Sequence, residues 1–160
     1  MKRLILLGLL LPLTALANLG ETFQKSCERY GTPDGRSSTG AHWTLYHNSS
    51  ITGGFHDFVI EEAFNAKGVC DVIWYIRTEP FPEGELFNYL NENRPDQVFR
   101  ETTTAASWNG GQFWTTPDGA HKRFRFWETT TEPKATALLE EERDVADTLT
   151  IFGPGALRHR

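Results

Sequence analysis

FHDFVIEEAFNAKGVCDVIWYIR, residues 55–77, holds two runs with strand character, Phe55–Phe64 and Val69–Arg77, joined by Asn65-Ala66-Lys67-Gly68. That connection is of the hairpin type, so the two runs pair antiparallel. Phe58, Ile60 and Phe64 share one face of the first run. Cys70, Val72, Trp74 and Ile76 alternate on one face of the second. A further run with strand character precedes them at His42–His47.

Upstream, Asn18 caps a helix, with Glu21 three residues on, that runs to about Tyr30. Leu19, Phe23, Cys27 and Tyr30 form its apolar face, and Gly31 ends it in the left-handed position. Thr32-Pro33-Asp34-Gly35 reads as a turn into a Gly/Ser/Thr-rich loop over 35–40. Downstream, Pro82, Glu83 and Glu85 open a second helix with Leu86, Phe87 and Leu90 as its stripe. Asn93 and Arg94-Pro95 stop it. Gln112–Thr116 and Ala120–Glu128 then flank the hairpin turn Pro117-Asp118-Gly119. Lys134–Glu142 has helical composition but the position of a strand. A strand is favoured by an internal echo of Val59–Glu62 and Asp71–Trp74 in Leu138–Glu141 and Asp147–Thr150. The order helix–strands–helix–strands indicates an α+β domain of two helix-plus-antiparallel-sheet units, 18–78 and 79–152, with both helices on one face of the sheet. Residues 153–160 are expected to fray.

The N-terminus has the three parts of a secretory signal peptide: basic Lys2-Arg3, apolar Leu4–Leu13, and small residues at Ala15 and Ala17. The apolar run is too short for a membrane span, which takes about 20 residues. Cleavage after Ala17 gives an exported domain, periplasmic or secreted. The chain carries 16 Lys and Arg, two of which leave with the leader, against 21 Asp and Glu. Such acidity argues against a nucleic-acid partner. In an oxidising compartment Cys27 and Cys70, each on an apolar face, read as a disulfide joining helix to sheet, two buried free thiols being the alternative.

No catalytic constellation stands out. His42, His47 and His56 cluster in the sequence, but His42 and His47 face opposite sides of a strand, so no metal set is expected. Neither a Gly-x-Ser-x-Gly elbow nor a phosphate-cradling loop is present. Glu61-Glu62 point to opposite faces, and Glu140–Glu142 read as a solvated edge. Asn48-Ser49-Ser50 is an N-glycosylation triplet. No cofactor is implied. The segment His121–Trp127 sets Phe124 and Phe126 on one face, toward the core with Trp114. His121, Arg123, Arg125 and Trp127, joined by Phe113, then form an outward stripe with the composition of an interaction hot spot. Its bland counterpart is cross-strand pairing of Arg123 and Arg125 with Glu140 and Glu142.

Gly20-Glu21-Thr22, Tyr30-Gly31-Thr32-Pro33 and an aromatic strand ending at Phe64 before Lys67-Gly68 resemble the small exported SmpA/OmlA (BamE-like) domains. Two such units in tandem are similar in layout to the β-lactamase inhibitory protein. In the second unit Trp114 and Gly119 fit, while Asn93-Arg94-Pro95 replaces the Gly-x-Pro exit. Asn18 stands where lipid-anchored members carry Cys. The resemblance implies a non-catalytic protein-binding or inhibitory module whose open sheet face meets another envelope or secreted protein. The competing reading is a small carbohydrate-binding or carbohydrate-processing protein with exposed tryptophans. N-terminal sequencing of the exported protein is expected to begin at Asn18; a start at Met1 or Lys2 would overturn the leader.

Overall fold

The computed structural model describes residues 19–48, 55–94, 96–102, 114–115, 119, 121–142, 146–154 and 156. The leader 1–17, its cut after Ala17, Phe113, the Pro117-Asp118 turn, Ser49-Ser50 of the glycosylation triplet and most of the tail lie outside the described residues. Two helices and nine strands follow one another: α1 (Phe23–Tyr30), β1 (Gly35–Arg36), β2 (Gly40–Asn48), β3 (Phe55–Phe64), β4 (Cys70–Arg77), α2 (Glu83–Asn93), β5 (Phe99–Thr102), β6 (Trp114–Thr115), β7 (His121–Thr129), β8 (Thr136–Glu142) and β9 (Ala146–Phe152).

The expected α+β fold of two helix-plus-sheet units is corrected by the topology. The nine strands form one sheet in the order β1-β2-β3-β4-β9-β8-β7-β5, with β6 also beside β7 and every pairing antiparallel. The protein is mainly β: helices of 8 and 11 residues lie against strands of up to 10. The boundary expected at residues 78/79 vanishes because β9 pairs along β4, from Val72↔Phe152 to Arg77↔Asp147. The chain runs as a meander through β1–β4 and crosses over with α2 to the far edge. It then returns through β7, β8 and β9 to close the middle. The ambiguous Lys134–Glu142 segment supplies strand β8. Among the described residues the outermost strands are short, Gly35–Arg36 at one edge and Phe99–Thr102 with Trp114–Thr115 at the other.

Register divides the sheet into two faces. One carries Trp43, Ile60, Tyr75, Leu149 and Leu139 as a single cross-strand row. Both helices cover this face. From α1, Phe23 packs against Trp43 and Phe64, and Ser26 donates to Glu62 Oε2 at 2.6 Å. From α2, Asn93 donates to Tyr75 Oη at 2.9 Å, and Tyr89 lies 4.7 Å from the Tyr75 ring. Leu86 and Leu90 are fully buried with Ile60, Ile73, Tyr75, Leu149 and Ile151, forming one continuous core. Phe87, counted in the helical stripe, is 41% exposed; Asn93 takes the third inward position instead.

The expected Cys27–Cys70 disulfide is also corrected: both cysteines are free thiols. The residue that α1 sets against the sheet is Ser26, and Cys27 lies about 100° round the helix from it. Cys70 is held by its backbone between Gly20 N and Glu21 O, and its thiol donates to Val72 O at 3.5 Å. Burial pushes that thiol well above the usual cysteine range. A thiol reagent is expected to modify Cys27 in the native protein and Cys70 only after unfolding, with no mass change on prior reduction. A two-hydrogen mass gain on reduction would sink this.

Candidate functional site

The stripe singled out in the sequence lies on the helix-covered face. Trp127 is 1% exposed and pairs with Ala137 and Glu101. Arg125 lies with its guanidinium 4.9 Å from the Trp127 ring and donates to both Glu83 at the start of α2 and Glu101 in β5. Those two carboxylates hold the Arg125 guanidinium above its ordinary range. Arg123 makes a two-armed bond to Glu141, its cross-strand neighbour. His121 sits opposite Thr115; its side chain, like all of Phe113, lies outside the described residues. The pairing of Arg123 and Arg125 with carboxylates was foreseen in kind, but the partners are Glu141, Glu83 and Glu101, and only the fold reveals them. Glu140 and Glu142 pair with Lys122 on the opposite face.

Strand alternation therefore places Phe124 and Phe126, expected in the core, on the face that no described helix covers. A single row crosses that face from edge to edge: Gly35, His42, Glu61, Trp74, Thr150, Leu138, Phe126 and Thr102. Val59, Ile76 and Phe152 lie beside it, all half-buried. The N-terminal corner of the face folds into an open cleft of about 460 Å³, within the range of small-molecule sites. Its walls come from the β1–β2 hairpin, and its far side from Glu61, Ala63 and Trp74. The hairpin is tied down by Ser37 N donating to Gly40 O and by Asp34, whose carboxylate accepts from Thr44 N at 2.6 Å. Gly35 makes room for His42: a Cβ at that position would stand 2.3 Å from His42 Cε1, so the imidazole lies directly over the glycine and would have to move to admit one.

The two adjacent glutamates separate across the sheet as their spacing demands. Glu61 is exposed in the cleft. Glu62 is 2% exposed beneath α1. Burial, reinforced by the Glu21 charge and opposed by the Ser26 bond and Arg29, pushes Glu62 up to about 7. Among the described residues no three His, Cys, Asp or Glu side chains group as metal ligands, and no helix is long and apolar enough to cross a membrane. Comparisons with family models, curated proteins and solved structures each return no match.

Because the folded state holds the Glu62 proton to about 7 while the unfolded chain releases it near 4.5, the folded state binds more protons between those limits. Stability is therefore highest below that window and falls as the pH rises through it, by on the order of 3 kcal/mol for this group. Glu62→Gln, which keeps an acceptor for Ser26, is expected to flatten the profile and to raise stability at pH 8. Urea denaturation at pH 5 and pH 8 measures both effects; parallel losses in the two proteins would refute the assignment.

Proposed function

We propose that the chain is an exported protein-binding or inhibitory module whose open sheet face, the one that no described helix covers, meets another envelope or secreted protein. The observation that carries this reading is the asymmetry of the sheet. α1 and α2 both lie on one face, and the other presents Trp74, Ile76, Leu138, Phe124, Phe126 and Phe152 across its central strands. Aromatic and aliphatic side chains grouped at the centre, with charged Lys122, Glu128 and Glu140 around them, have the layout of an interface core and rim. The Arg/Trp stripe of β7 serves this role indirectly: its ion pairs fix α2 and β5 and so hold the sheet in shape.

The export step rests on the leader at residues 1–17, and the binding role on the face. The binding role is tested with mature protein as bait. A partner captured from envelope extract, identified and purified, is expected to bind wild type directly and to bind Ile76→Glu/Phe126→Glu roughly tenfold or more weakly, the size of a hot-spot loss. Lys67→Glu, in the exposed β3–β4 turn, serves as the neutral control. Thermal unfolding checks that the double variant folds; Val59→Glu is the substitute if it does not. Equal binding by wild type and face variants would move the site off this face.

A further inference from the structure

We infer that the corner cleft is a binding site for a cationic nitrogen group, an ammonium or guanidinium. The inference stands on the charge that faces the cleft. Every other carboxylate of the sheet whose side chain is described has a partner. Glu62 accepts from Ser26, Asp71 from Asn65, and Asp147 from the Phe81 amide. Glu101 and Glu141 take Arg125 and Arg123, Glu140 and Glu142 take Lys122, and Glu128 takes Lys134. Among the described carboxylates of the sheet, Glu61 alone has neither a hydrogen bond nor an ion pair. It is also exposed in the cleft, whereas Glu62, which borders the cleft too, has its carboxylate buried against Ser26 beneath α1.

Its neighbours complete the site. Trp74 and His42 are its direct cross-strand partners, which places their Cβ atoms about 5 Å on either side of it. Trp74 presents the ring best suited to a cation. Arg36 also borders the cleft, but its guanidinium lies on the opposite face, 3.8 Å from the centre of the Phe23 ring, where it cannot neutralise Glu61. A carboxylate beside an indole selects a charged donor: the carboxylate takes its N–H bonds and the ring its positive charge. An anion is repelled, and a neutral polyol leaves the carboxylate charge uncompensated. The net charge of −5 adds a long-range attraction for cations. The wall is built in advance, since Gly35 holds the His42 ring in a space that any side chain there would fill.

The site does not rest on the protein-binding reading. A chain that captures no protein still binds a free cation, and a chain with a partner elsewhere on the face still fails with a cation if this inference is wrong. The test is titration of the mature protein with agmatine, followed through the indole resonances of its five tryptophans. N-acetyl-arginine amide is the second arm, standing for a guanidinium carried on a peptide, and methyl glucoside is the neutral arm. Agmatine is expected to shift the Trp74 indole saturably in the millimolar range. Glu61→Gln and Trp74→Leu should each weaken the response about tenfold. Gly35→Ala, which displaces His42 without changing charge, should weaken it as well. Glu140→Gln, a paired carboxylate on the same face, should not. Saturation by the peptide-borne guanidinium alone supports the same site with a side chain as its ligand. No saturable shift with either cation overturns the inference. So does a response to methyl glucoside that matches agmatine and survives Glu61→Gln.

Discussion

The pairing of β4 with β9 is the constraint on which the rest of the protein depends. Six residues of each strand lie in register, Val72–Arg77 against Asp147–Phe152, and they join what would otherwise be two separate meanders. Tyr75 and Leu149 meet at its centre, both fully buried. At one end, Asp147 accepts from the Phe81 amide and so fixes the approach to α2. Gly153 continues the seam by donating to Asp71 O at 2.6 Å. A Cβ there would stand 3.0 Å from that same oxygen, so a side chain would fit only if the seam gave way slightly.

With the halves fused, the two helices become a common roof. α1 covers the β2–β3 end through Phe23, Ser26 and Tyr30, while α2 covers the centre through Leu86, Leu90 and Asn93. Some polar groups under this roof are paired, while Tyr30 Oη and Trp127 Nε1 are buried without a hydrogen bond among the described residues. Arg77, 2% exposed on its side chain, bonds both Glu79 and Glu85. Ion pairs this deep contribute more to fixing geometry than to net stability, because desolvation offsets much of their attraction. Their effect is to lock α2 to one face, the other being covered by no described helix.

Much of the secondary structure was legible in the sequence. The β3–β4 hairpin, the existence of both helices and the strand reading of Lys134–Glu142 follow from turn residues and periodicity, which are local. The Asn18 start does not hold, because α1 begins at Phe23 behind Thr22, which makes no side-chain cap bond. What the sequence withheld was which side each strand turns inward. Phe58, Ile60 and Phe64 share one face as read, and that face is inward, but Cys70 did not carry Val72, Trp74 and Ile76 with it. Ala63 pairs with Val72 and Phe64 with Cys70, so β4 has one extra residue at its start, and the alternation flips beyond it. The same ambiguity reversed β7. Phe124 and Phe126 match Trp127 in hydrophobicity, and only the partners supplied by β5, β8 and α2 show that the Arg-Trp side is inward. The cleft was illegible for a different reason. Its residues, Gly35, His42, Glu61 and Trp74, come from four strands and carry no common spacing.

The seam also orders the protein in time. Residues near 75 and near 149 meet only after the whole intervening chain, including α2 and the far edge, has been made. Contacts at such separation are slow to form, because the entropy of closing a long loop must be overcome first. Until β9 arrives, β4 is an edge strand with a free row of backbone donors and acceptors, rich in Val, Ile, Trp and Tyr. That is the template on which extended chains aggregate. The mature fold buries this edge at the centre of the sheet under β9, so its exposure to misassembly falls in the interval before the last strand docks.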